Sequence, residues 1–282
     1  MNRVHEIQPG QSTELLKELH ILTRDGKMNQ DSRRKLKQVN HLCQFIQPLL
    51  EEIRAEHADV QLVDHGAGKS YLGFLLYDRF FRDYGADAGG NGGAHIYGVE
   101  VRDDLVRKSR ELAQRLGFPG MTFLNLSVED SIQAGQLPAR VDIVTALHAC
   151  DTASDDAIRF ALERKARFIV LAPCCQAEIA AVLRKNKGQA LANATLTELW
   201  RHPLHTREFG SQLTNVLRGL QLEAHGYQVS VTELVGWEHS LKNELIIATQ
   251  KGLPRERPAR RLHEILKTLG LEEMRRRFFT TP

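Results

Sequence analysis

Val60-Gln61-Leu62-Val63-Asp64-His65-Gly66-Ala67-Gly68-Lys69-Ser70 is the stretch whose reading decides the fold. A short apolar run suits a strand, an acid closes it, and two glycines one residue apart follow. A helical pattern resumes at Leu72. Glycine lets a backbone turn tightly and lets a ligand approach the main chain. A phosphate-binding P-loop needs glycine five residues before the Gly-Lys-Ser of 68–70, and Val63 stands there. A dinucleotide fingerprint needs a third glycine at position 71, which is Tyr71. Asp-x-Gly-x-Gly remains, the pattern in which an acid at a strand end faces the ammonium group of S-adenosylmethionine. An ordinary strand-to-helix turn shares it, so the neighbouring strands decide.

The next apolar run, Ile96-Tyr97-Gly98-Val99, ends in Glu100. An acid closing the second strand of such a unit is placed to accept hydrogen bonds from both ribose hydroxyls. The competing reading is an exposed acid favoured by a helix N-terminus. After the third run comes Asn125-Leu126-Ser127-Val128-Glu129-Asp130, whose position borders an adenine ring. Asp64, Gly66, Gly68, Glu100, Ser127, Val128 and Leu147 are therefore the candidate cofactor residues.

Working outward, short apolar runs at Val60–Val63, Ile96–Val99, Met121–Leu124, Val141–Leu147 and Phe168–Ala172 alternate with helical stretches at Leu72–Tyr84, Asp103–Leu116 and Ser154–Arg164. That alternation predicts βαβ units and a parallel sheet covered on both faces. Tyr227–Leu234 and Glu244–Thr249 follow as two late strands, which suit an antiparallel pair closing one side. Residues 87–94 read as a flexible loop, and 176–222 and 258–279 as helical. Residues 1–59 also read as helical: Leu36, Val39, Cys43, Ile46 and Leu50 form one apolar stripe. Pro48 is expected to kink or interrupt it. The expected organisation is a helical segment 1–59, a Rossmann-like domain 60–250 and a basic helical tail 251–282.

The chain has 282 residues, 42% hydrophobic and 26% charged, with a formal net charge of +3. Residues 251–282 hold nine of the basic residues and four acids, so the tail carries +5 and the rest −2. Further basic clusters lie at Arg33–Lys37 and at Arg184, Lys185 and Lys187. Such patches suit a polyanion, and the tail is expected to add affinity rather than stability. No apolar run reaches the roughly 20 residues needed to span a bilayer. The start of the chain lacks a secretory pattern, and four cysteines do not form a disulfide framework. The expected compartment is the cytoplasm.

The fourth strand ends in Leu147-His148-Ala149-Cys150-Asp151 and the fifth in Ala172-Pro173-Cys174-Cys175-Gln176. Both fall at carboxyl ends of strands, where open α/β sheets bind ligands. His148 is the candidate general base or acceptor-orienting group. The cysteines read as metal ligands, as nucleophiles or as packing residues. Adjacent cysteines without Cys-x-x-Cys spacing are poor chelators, so no metal is expected.

Together, Ser32–Asn40, the loop 64–69, Leu147–Cys150, Ala172–Gln176 and Lys242-Asn243 resemble a class I methyltransferase-like group that includes the eukaryotic tRNA 2′-O-methyltransferases of the acceptor stem. The resemblance covers roughly residues 30–250. It implies S-adenosylmethionine at Asp64, Gly66, Gly68 and Glu100 but does not by itself transfer the substrate. Taken with the basic N-terminal helix and tail, it makes RNA (rRNA or tRNA) the expected acceptor. The alternatives are a methyltransferase acting on a protein or small molecule, or a non-catalytic protein that binds S-adenosylmethionine or RNA. Relatives often have glycine where this chain has Asp151. The tRNA members methylate an oxygen and need no covalent intermediate, so Cys174 and Cys175 are expected to shape the acceptor pocket. The chain lacks the Asn/Asp-Pro-Pro-Tyr/Phe motif with which many amino-nitrogen methyltransferases hold an exocyclic amine.

Overall fold

The computed structural model describes residues 7, 10–57, 59–82, 93–147, 149, 151–173, 176–185, 201–234 and 244–278. Seven strands form one sheet in the order β3-β2-β1-β4-β5-β7-β6. They are β1 Val60–His65, β2 Ala94–Glu100, β3 Met121–Asn125, β4 Ile143–Ala146, β5 Phe168–Leu171, β6 Tyr227–Glu233 and β7 Glu244–Gln250. The first five are parallel, and β7 runs antiparallel between β5 and β6. All seven expected strands are present, with shifted ends. The fourth loses Val141, Asp142 and Leu147 from its expected span.

Alternation along the strands builds two cores. Leu62, Ile96, Phe123, Ile143, Phe168 and Val170 pack under α1 (Thr13–Glu18), α2 (Gln30–Arg54), α3 (Tyr71–Leu76) and α4 (Asp103–Leu116). Val63, Val99, Leu124, Val144, Ile169 and Leu171 face α5 (Val128–Gln133) and α6 (Ala153–Glu163). Burial on both faces is what makes these strands read as continuous apolar runs. The expected helix 72–84 is an α-helical turn followed by a π-helical one, Tyr77–Phe81.

Helix α2 runs through Pro48 without the interruption that is one of the two expected outcomes. A proline inside a helix forfeits one backbone hydrogen bond and costs about 3 kcal/mol. Ile46, Leu50 and Ile53 are fully buried around it, and burying each such side chain contributes about 1.5–3 kcal/mol. Packing therefore outweighs the local penalty. Arg167, just before β5, adds ion pairs to Glu52 at 2.5 Å and to Glu56.

The C-terminal segment also departs from expectation. After α7 (Glu178–Lys185) and α8 (Pro203–Ala224), α9 (Glu256–Thr268) and a 3₁₀ turn (Glu272–Arg276) close a third core. Leu262, Leu266, Leu269, Leu271, Met274 and Phe278 pack on Ile179, Val182, Leu183, Leu213, Leu217 and Leu220. The basic side chains are the solvated face of an amphipathic helix. Six buried apolar side chains represent roughly 9–18 kcal/mol of burial, comparable to the whole stability of an ordinary domain. Truncation after Gln250 is therefore expected to abolish cooperative thermal unfolding. A truncated protein that melts within a few degrees of the full chain would refute this packing role.

Candidate cofactor site and acceptor edge

Strand β1 is the centre of the site because it pairs with β2 on one side and β4 on the other. Its last residues are Asp64 and His65, and the chain then turns into α3. Gly66 has φ +65° and Gly68 has φ +58°. A Cβ on Gly66 would lie 3.2 Å from the backbone N and Cα of Ala149, whereas one on Gly68 would meet almost nothing. Gly66 thus answers both a conformational and a steric demand, and Gly68 only a conformational one.

Glu100 closes β2 directly across this turn. One carboxylate oxygen accepts the Gly68 N–H at 2.8 Å, the other the Arg102 N–H at 3.0 Å. Each oxygen keeps a free lone pair for a diol. Asn125, the last residue of β3, donates to the carbonyls of Glu100 and Val101 at 3.1 and 2.8 Å. Ser127 caps α5, accepting the Asp130 N–H at 2.9 Å.

These groups surround a cavity of about 360 Å³, within the size range of small-ligand sites. Of the candidate residues, Gly66, Glu100, Ser127 and Val128 line it. Val99, Leu126 and Val128 offer apolar wall for a purine, and Glu100 the acceptors for a ribose. The donor set fits S-adenosylmethionine. Asp64, Gly68 and Leu147 do not line the cavity; Asp64 and Leu147 are buried, 4% and 7% exposed. A second cavity, about 370 Å³ between α1, α3 and α4, holds Lys69, Tyr71 and Lys108. It touches none of Gly66, Glu100 and Ser127, so the first is the candidate cofactor cavity.

Asp64 accepts a hydrogen bond from Thr145 Oγ1 at 2.6 Å. Burial, with the nearby Glu100 charge, pushes its pKa up to about 7, against the Thr145 bond. Its neighbour His65 points to the other face. Ser131 Oγ donates to the Val128 carbonyl, so His65 Nε2–H donates to Ser131 Oγ at 3.0 Å. The ring meets Phe160 edge-on at 4.7 Å, and burial lowers its pKa to about 3. His65 is a neutral packing residue.

Ala149, Ala153 and Asp156 also line the cavity and escaped the sequence reading. The signal was available in the first turn of the helix after the fourth strand. His148, Cys174 and Cys175 lie outside the described residues, as do Cys150, residues 83–92, Lys187 and Lys242-Asn243. Their neighbours Leu147, Ala149, Pro173 and Gln176 follow β4 and β5, which are adjacent in the sheet.

Two outcomes follow. Glu100→Ala removes the diol acceptors and the anchor of the Gly68 amide. Cofactor affinity in calorimetry should fall by about 1.5–3 kcal/mol, typical of charged hydrogen bonds; unchanged affinity refutes the ribose assignment. The raised pKa of Asp64 means that the folded, cofactor-free protein holds a proton which the unfolded chain releases near pH 4. Its contribution to stability therefore declines as pH rises from about 4 to 7. A cationic cofactor above Asp64 should expel that proton. At pH 6 the binding heat should then depend on the buffer's ionisation enthalpy, and in Asp64→Asn it should not. Equal heats across buffers in the native protein would place the ammonium elsewhere.

A family model described as a methyltransferase domain matches residues 34–182. Among curated proteins, a bovine glutathione S-transferase C-terminal domain-containing protein is 23% identical over 254 residues, 80% of this chain. The chain spans 35% of that relative's length. Among solved structures, a Klebsiella pneumoniae protein described as an O-methyltransferase aligns with TM-score 0.51 and 13% identity, covering 87% of this chain and 93% of that one. The magnesium protoporphyrin IX methyltransferase of Synechocystis, solved with S-adenosylhomocysteine, aligns with TM-score 0.44 and 17% identity, covering 86% of this chain and 95% of that one. The sheet order and the family match agree: the chain belongs to the methyltransferase-domain family and has its Rossmann-like class I fold.

Proposed function

We propose that the acceptor is RNA and that methyl transfer occurs at the carboxyl ends of β4 and β5, beside the cofactor cavity. S-adenosylmethionine supplies an electrophilic methyl group when bound. The chain's part is to hold the acceptor atom in line with it, which alone supplies a large share of such a rate. His148 is the residue we assign to orient the acceptor or remove its proton. The finer reading, kinship with the tRNA 2′-O-methyltransferases of the acceptor stem, makes a ribose hydroxyl the favoured acceptor atom. The cytoplasm is the compartment that suits this reading. Among the described residues no helix is long and apolar enough to cross a membrane.

The observation that carries the RNA reading is the outer face of the C-terminal segment. Arg257, Arg260, Arg261, Lys267, Arg275 and Arg276 are all exposed there, while the opposite face is buried. Arg184 and Lys185 on α7 extend the same region, with Lys185 3.6 Å from Glu273. Arg33, Arg34 and Lys35 stand exposed at the start of α2. Phosphate contacts of this kind give affinity and orientation without sequence choice.

Incubation with tritiated S-adenosylmethionine and fractionated cellular RNA and protein tests the proposal. Label in RNA supports it, and label confined to protein or small molecules overturns it. Replacing Arg257, Arg260 and Arg261 with glutamine should weaken RNA binding and flatten its salt dependence, with the melting temperature held. Cys174→Ser and Cys175→Ser should both retain measurable transfer. Trapping on 5-fluorocytosine-containing RNA, lost in one of these variants, would instead make that cysteine a covalent nucleophile.

A further inference from the structure

A largely buried polar network lies behind the acceptor edge, and its partly exposed member Asp151 has a left-handed backbone. Asp151 adopts φ +50°, the left-handed region that crowds a residue bearing a Cβ, though aspartate and asparagine enter it more readily than most. Its carboxylate accepts the Ala177 N–H at 3.2 Å, joining the segment after β4 to the segment after β5. Its carbonyl accepts from Arg218 Nη2 at 2.9 Å. Arg218 is fully buried and grips Asp155 through two bonds of 2.7 and 3.0 Å.

Helix α8 completes the network from one face, since Ser211, Asn215 and Arg218 follow the spacing of successive turns. Ser211 donates to Gln176 Oε1 at 2.6 Å, and Gln176 donates to Asn215 Oδ1 at 3.0 Å. Asn215 donates in turn to Glu244 at the start of β7, 2.8 Å away. Three segments at the carboxyl edge are thus tied to one helix. Gln176, Asn215 and Ser211 are 4–6% exposed, so the bonds among these three are made where water does not compete, whereas the Asp151–Ala177 bond lies at the surface. Strain retained inside such a network marks a geometry held for a purpose other than stability.

We propose that Asp151 is a positioning residue: it locks the segment between β4 and α6 to the segment between β5 and α7 so that the acceptor edge is one rigid unit. This rests on the reading that the acceptor sits at that edge. Asp151 does not line the cofactor cavity, so its effect should fall on transfer and not on cofactor binding.

Asp151→Gly separates this role from stability, because glycine removes the strain together with the bond to Ala177. Asp151→Asn keeps an acceptor oxygen and tolerates the left-handed backbone. The full-length proteins are compared by melting temperature, S-adenosylmethionine calorimetry, and hydrogen exchange of peptides covering 171–180. Tritium transfer is read on whichever cellular fraction the native protein labels. Asp151→Gly should hold or raise the melting temperature and bind cofactor within about twofold of native. It should speed exchange at 171–180 by about tenfold and lower transfer by about tenfold to a hundredfold. Asp151→Asn should restore most of both. Native exchange at 171–180 in the glycine variant, or transfer that follows its melting temperature, overturns the proposal. Label on protein instead of RNA would overturn the acceptor reading alone, and the exchange result decides for Asp151 whichever fraction is labelled.

Discussion

The close approach of Gly66 to the backbone of Ala149 is the contact on which the site depends. It brings the turn after β1 against the segment after β4, so closely that a Cβ at position 66 would crowd the Ala149 backbone at 3.2 Å. With β1 so placed, the Gly68 amide meets the Glu100 carboxylate. The ends of β1, β2 and β4 then converge on one cavity. The turn residues also shape the strands' depth: Asp64 is drawn under the surface, where burial raises its pKa and a Thr145 hydroxyl partly offsets the cost.

The two sides of the sheet carry different burdens. On the side of α1–α4 the core is mostly apolar, with Asn40 and Asp78 as buried polar exceptions, and even a proline is absorbed by α2 without a break. At the carboxyl edge below α8 the interior is polar and charged, with a buried arginine bonded to one carboxylate, one backbone carbonyl and an asparagine of its own helix. A buried charge is tolerated only when its hydrogen bonds are complete. Arg218 meets that condition through Asp155, the Asp151 carbonyl and Asn215. Replacing such a network by apolar packing would be expected to cost little stability, so its presence here speaks for geometry.

The C-terminal segment joins these two themes. Its apolar stripe completes the core around α7 and α8, while Arg277 reaches Glu178 at 3.2 Å and stands 3.9 Å from Asp156, a residue of the cofactor cavity. Its outer arginines remain in solvent. One amphipathic helix can hold up the fold and present a cationic face, because the two functions use opposite sides.

Local patterning alone determined the series of strands, the helix at Asp103–Leu116, the glycine turn and the acid at position 100. Each rests on neighbours within a few residues: strand alternation, the 3.6-residue period, and the conformational freedom of glycine. The antiparallel final pair was also legible, from two strands with a short connection after five βα units. Only the tertiary structure decided the rest. That Pro48 leaves α2 whole, that the tail packs as core, that Ala149 and Asp156 reach the candidate cavity, and that Ser211, Asn215 and Arg218 meet the segments after β4 and β5 all depend on partners tens of residues away. A basic residue reads the same in sequence whether it lies in solvent, as Arg261 does, or is sealed against an aspartate 63 positions away, as Arg218 is. Burial is a property of the folded whole, and it is burial that gave these side chains their roles.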